Sequence, residues 1–104
     1  MPDRTNTYNF IFVYIIMNKY LAEFFGTLLF VYIILATGNP IAIGIALGLV
    51  IMVTAPISGG HVNPAVSVTM AMLGKLPRSE LLPYISSQLA GGLFALELFK
   101  SVKM

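Results

Sequence analysis

The 104-residue sequence contains no cysteine, a single histidine and only four acidic residues. Without cysteine there are no disulfides and no thiol chemistry, and nothing follows about compartment. One imidazole and four scattered carboxylates make no metal-ligand cluster. They also make no Ser/His/Asp or Cys/His arrangement for nucleophilic catalysis, so the sequence gives no reason to expect an enzyme, a metal or a cofactor. Lys and Arg number six, dispersed along the chain with no basic run. A formal charge of +2 and an isoelectric point near 9.1 therefore do not point to nucleic acid. Charged residues make up 10% of the chain, against about 25% in ordinary soluble domains. Signal-peptide features are incomplete: an apolar stretch over residues 10–17 follows Arg4, but no small-residue cleavage site comes after it.

What fills the chain instead is apolar: 58% hydrophobic residues and a mean hydropathy of +0.88. One domain of this length cannot hide that much apolar surface from water, so the composition predicts an integral, multi-pass membrane protein with lipid as its solvent. Three stretches have the length of a crossing: residues 19–37, 40–57 and 81–99. At 18 or 19 residues each, they would be about 27–29 Å long as helices. The first apolar run read from Phe10 would reach about 42 Å, too long without strong tilt, so the span is placed from Lys19. Residues 1–16 are then an N-terminal extension or interfacial arm, with Met17 a possible start, and residues 17–104 form the domain. Asn39 is placed to cap the second span and Pro40 to occupy its first turn.

Residues 58–73 are too apolar for a water-exposed loop, yet Gly59, Gly60 and Pro64 interrupt them. A helix over residues 64–73 would be about 15 Å long, half a bilayer. A polar turn over residues 74–80 follows. The pattern predicts a segment that dips to the midplane and returns as a half-helix. Non-helical backbone at that depth must be buried in protein or line a wet cavity. The half-helix would aim its free N–H groups and positive dipole end there, with Asn63 at the cap and Pro64 at the first position. Such a site suits a small neutral polar solute and repels a cation.

The stretch Ser58-Gly59-Gly60-His61-Val62-Asn63-Pro64-Ala65-Val66-Ser67 resembles the first signature loop of the aquaporin and glycerol-facilitator family. Ala22-Glu23-Phe24-Phe25-Gly26-Thr27 resembles that family's first helix, and Ser86-Ser87-Gln88-Leu89-Ala90-Gly91-Gly92 its third. The resemblance covers about residues 17–100, the first half of the family's fold. It implies an all-α membrane protein of three transmembrane helices plus one re-entrant half-helix. Asn63, with Pro64 and Ala65, is similar to the triplet whose Asn donates to a solute at mid-pore. Gly59, Gly60, His61 and Val62 match the stretch whose carbonyls line a vestibule; for His61, packing alone is the other reading. Glu23 and Gln88 match residues that brace the loop, although Glu23 is near enough to the rim to snorkel. A carboxylate in a span otherwise costs on the order of 3 kcal/mol. Ile43 falls at a selectivity-filter position where a strict water channel has an aromatic; otherwise it is an ordinary lipid-facing or core aliphatic. Gly44 with Gly48, and Gly91 with Gly92, are small-residue patterns suited to helix packing, within the chain or against a second copy.

The family carries two inverted halves in one chain, the second with its own triplet and a filter Arg, and this sequence has neither. Two functions follow as expectations. One is a passive channel for water or small uncharged solutes such as glycerol, completed by a second copy in inverted orientation. The other is a truncated, non-conducting fragment or a helper packed on a full-length channel. Cations weakly favour the N-terminal side as cytoplasmic: Arg4, Lys19, Lys75 and Arg78 against Lys100 and Lys103. Counted from Met17 the bias is three against two, small enough to permit both orientations.

Overall fold

The computed structural model describes the backbone of residues 4–102, with side chains throughout except at positions 4, 5, 13 and 15–17. Residues 1–3 of the N-terminal extension, residue 103 of the charge count and residue 104 lie outside the described residues, as do the side chains of Arg4 and Met17. Within the described residues there are four helices: α1 (Arg4–Thr37), α2 (Pro40–Ser58), α3 (Pro64–Met72) and α4 (Arg78–Val102). The central element is α1, which packs on both α2 and α4, while α3 packs on α4.

α1 runs 34 residues without a break, back to Arg4 rather than starting near Lys19. No Gly or Pro interrupts it before Gly26, so nothing separates the arm from the span. Its length, about 51 Å at 1.5 Å per residue, accounts for the molecule's longest dimension of 54 Å. The portion long and apolar enough to cross a membrane is Asn18–Thr37; the other such segment is Pro40–Ser58. α4 is longer than its apolar stretch at both ends and takes in Arg78, Glu80 and Lys100.

Helix boundaries follow local chemistry. Asn39 Oδ1 accepts from the amides of Ile41 and Ala42 at 2.9 and 3.1 Å, which starts α2. Gly59, at φ 92°, ends it, its N–H donating to the Ala55 carbonyl at 3.0 Å. Asn63 Oδ1 accepts from Ala65 N–H at 2.8 Å and starts α3, with Pro64 in the first turn. At nine residues, α3 is about 13 Å long, a half-membrane helix.

The burial pattern is inside out. Glu23, Thr27, Thr54, Ser58, His61, Ser67 and Gln88 are buried, while Leu21, Phe25, Leu29, Ile45, Met52, Leu89 and Phe94 are exposed. In water this arrangement would forfeit the main driving force of folding; in lipid it places each group where it is least costly.

Candidate functional site: a polar brace behind the Asn63 loop

The site is built on Glu23, whose residue is wholly buried on α1. Its carboxylate accepts four hydrogen bonds. Oε2 takes the Ser58 hydroxyl at 2.6 Å and the His61 amide at 3.1 Å. Oε1 takes the Val62 amide and the Gln88 side-chain amide, both at 2.7 Å. All the acceptor capacity of the carboxylate is thereby spent on the loop and α4. The loop backbone donates inward because its conformation is left-handed at Gly59, Gly60 and Val62, with φ of 92°, 66° and 46°. Glycine tolerates that region freely. Val62, a β-branched residue, does not, and is held there by burial and by its bond to Glu23.

A second layer closes behind the first. Gln88 Nε2 also donates to Ser67 Oγ at 2.9 Å, and Ser67 Oγ lies 2.8 Å from His61 Nδ1. Tyr84 donates its hydroxyl to the Ser58 carbonyl at 2.7 Å, and its ring sits 5.1 Å from the His61 ring. The loop is thus tied to α1, α3 and α4.

In front of this brace, a cavity of about 360 Å³ opens at the start of α3, lined by Thr27, Phe30, Val62, Asn63, Pro64 and Gln88 among others. Asn63 is exposed, and its Oδ1 is spent on the Ala65 cap, so its carboxamide hydrogens are unspent among the described residues. Thr27 Oγ1 and Gln88 Oε1 are buried without a partner among the described residues.

The structure brings Glu23, Gly59, Gly60, His61, Val62, Asn63, Pro64, Ala65 and Gln88 into this one region. Ile43 stands apart, half-buried in the first turn of α2 and not among the residues lining the Asn63 cavity. Gly44 and Gly48 face open space. Gly91 is buried against α1, where a Cβ would collide with the Phe24 carbonyl oxygen, so its packing partner is within the chain. Gly92 has only ordinary clearance, 3.8 Å from Val31.

Sequence reasoning gave no individual role to Ser67, Tyr84, Ser58 or Gly26, although Ser58, Ser67 and Gly26 stand within the family-like stretches. Helical spacing held a signal for some of them: Tyr84, Gln88, Gly91 and Ala95 form one buried stripe of α4. Gly26, three residues beyond Glu23, lies where α1 meets the loop, since a Cβ there would come within 2.9 Å of Val62.

Comparison with known proteins then gives the lineage. The family model described as Major intrinsic protein matches residues 11–104. The chain belongs to the major intrinsic protein family. Members of this family are integral, multi-pass membrane proteins, and the two apolar helices agree with that. Glycerol uptake facilitator protein-like 6 of Lactiplantibacillus plantarum is 40% identical over 94 residues, covering 82% of this chain and 44% of the relative. Aquaporin Z of Brucella melitensis is 38% identical over 94 residues, 76% of this chain and 41% of the relative. Aquaporin-8 of Mus musculus is 50% identical over 62 residues, 60% of this chain and 24% of the relative. The chain thus spans less than half the length of the relatives it matches.

Proposed function

We propose that the chain is half of a passive pore for water and small uncharged solutes such as glycerol, completed by a second copy inserted in the opposite orientation. In this reading residues 17–104 are the half-channel domain, with three crossings at residues 19–37, 40–57 and 81–99. Residues 58–73 re-enter the membrane, and the N-terminal extension carries α1 on beyond the crossing. The observation that carries the reading is the division of labour at Asn63. Its oxygen caps α3, which leaves its amide hydrogens for the cavity. With the positive end of the α3 dipole behind it, that donor favours a neutral acceptor and disfavours a cation. The names of the relatives, a glycerol uptake facilitator and aquaporins, support the solute class.

Ile43 takes the filter position in this reading. An aliphatic side chain there, with no filter Arg after the triplet, predicts a pore that passes glycerol alongside water.

The test is osmotic shrinkage of liposomes carrying the purified chain, followed by stopped-flow light scattering, beside Asn63→Asp. Aspartate keeps the helix cap but removes the donor and adds negative charge. Fast shrinkage that the substitution abolishes is the expected result. Shrinkage no faster than that of empty vesicles, with the protein inserted and folded, sinks the self-sufficient pore and leaves the fragment or helper that packs on a full-length channel.

A further inference from the structure

We infer that Ser67 locks His61 in the tautomer that carries its proton on Nε2, so that the ring offers a hydrogen-bond donor and no imidazole lone pair on the Gly59 side of the loop. The assignment comes from counting hydrogens along one chain of contacts. Gln88 must turn its NH₂ group, not its oxygen, toward Glu23, because a carboxylate oxygen 2.7 Å away can only accept. Its second amide hydrogen goes to Ser67 Oγ at 2.9 Å. Ser67 is therefore an acceptor for Gln88, and its own hydrogen needs a destination. Among the described residues the Ser67 hydroxyl has two partners, Gln88 Nε2 and His61 Nδ1, and makes no bond to the i−4 carbonyl of Asn63. The acceptor that remains is His61 Nδ1, 2.8 Å away, the usual length for a hydroxyl donor. A nitrogen that accepts carries no proton, so the neutral ring holds its hydrogen on Nε2.

The opposite tautomer would have Nδ1–H donating to an oxygen that already accepts from Gln88. The Ser67 hydrogen would then be left unpaired at a wholly buried site, where an unmade hydrogen bond is costly. The groups that face the ring from every side leave the assignment unchanged. Glu23 contacts the His61 backbone amide and not its ring. Tyr84 packs beside it, its ring tilted by 49° and its hydroxyl committed to Ser58. Nε2 has no partner among the described residues and lies beside exposed Gly59, 3.2 Å from where a Cβ on that glycine would sit.

The functional meaning rests on the pore reading. Relaying a proton through an imidazole takes one nitrogen that accepts while the other donates. With Nδ1 occupied by Ser67 and Nε2 already protonated, the ring can donate to a passing oxygen but cannot take a proton from it. Ser67 is thus a positioning residue for selectivity, acting through His61 two residues before Asn63.

His61 is the only histidine in the sequence, so ¹⁵N-histidine labelling reports on this ring alone. The full chain in bilayers should show a pyrrole-type Nε2 and a pyridine-type Nδ1. A pyrrole-type Nδ1, or protonation of both nitrogens at neutral pH, overturns the assignment without any substitution. Ser67→Ala should convert the spectrum to a tautomer mixture and raise proton flux relative to water flux several-fold in liposomes. Ser67→Thr, which keeps the hydroxyl, should restore both. A Ser67→Ala protein that folds yet moves neither the spectrum nor the flux ratio overturns the lock. Absence of water flux in the unsubstituted protein would count against the pore, and the spectrum would still decide the lock.

Discussion

At the scale of single residues, Glu23 and Gly91 carry the most consequence for the least change. Glu23→Gln keeps the shape of the side chain but replaces one acceptor oxygen by a donor NH₂. The four groups that now donate to it then compete for one oxygen. Buried donors left without an acceptor cost about 1–3 kcal/mol each, so a loss of about 2–5 kcal/mol is expected. Unfolding of the purified protein in mixed micelles measures it. Gly91→Ala drives a methyl group into the Phe24 carbonyl, and no rotamer change relieves a clash with backbone. The expected loss is near the upper end of about 1–3 kcal/mol. Gly92→Ala, next along the chain with its nearest neighbour 3.8 Å away, should be neutral or stabilise by up to about 1 kcal/mol through helix propensity. Opposite signs at adjacent glycines in one thermal-melt series would establish that Gly91 is the closest approach of α1 and α4.

The contrast explains what sequence alone could show. A carboxylate and a carboxamide inside apolar spans are conspicuous because burial without a partner is costly. Glu23 and Gln88 were legible for that reason. Ser67 and Tyr84 were not, because a hydroxyl in a membrane helix costs little and commonly bonds its own backbone, as Ser87 does to Pro83. Only three-dimensional placement separates Ser67 from Ser87. Which glycine of the Gly91-Gly92 pair touches α1 likewise depends on the rotation of α4, which a two-residue pattern leaves open.

At the scale of elements, the same dipeptide starts two helices with different consequences. Asn39-Pro40 caps α2 at an exposed turn, and Asn63-Pro64 caps α3 at the cavity. Asn39→Ala and Asn63→Ala should each lose about 1 kcal/mol of cap stabilisation. Only Asn63→Ala should also reduce osmotic permeability, since only that side chain lines the cavity. Equal permeability defects in the two variants would mean that the effect is one of folding and not of the donor. The boundaries of α2 and α3 were readable to within a residue because Asn, Pro and Gly mark both ends. The start of α1 was not: apolar residues before Lys19 continue a helix as readily as they end one, and hydropathy registers the solvent while helix continuity does not depend on it. α4 shows the converse, since the polar residues that tie it to the loop also lower its resemblance to a membrane span.

At the scale of the whole molecule, the proposed inverted pair makes orientation decide whether two copies can form one pore. Two α3 helices meet N-terminus to N-terminus only if the copies lie inverted in the bilayer, so a population locked in one orientation should conduct nothing. The cations that set orientation are few. In that reading Arg4, Lys19, Lys75 and Arg78 fall by sequence position on one side and Lys100 and Lys103 on the other, and acidic partners such as Glu80, 3.6 Å from Lys19, have little weight in the rule. Pro77→Lys with Ser79→Lys, both at exposed positions, adds charge to the first side. Lys75→Gln with Arg78→Gln and Ser101→Lys, exposed as well, moves the excess to the second. Each set should give a single topology by terminal tagging, and vesicles made with either set alone should shrink no faster than empty ones. Co-expression of the two sets should restore shrinkage, because each then supplies the orientation that the other lacks. Full permeability from one locked set alone would show that a parallel assembly or a single copy conducts, and the inverted pair would have to be abandoned. Restoration only on mixing would require that the pore forms between copies of opposite topology, since no other difference separates the mixture from its components.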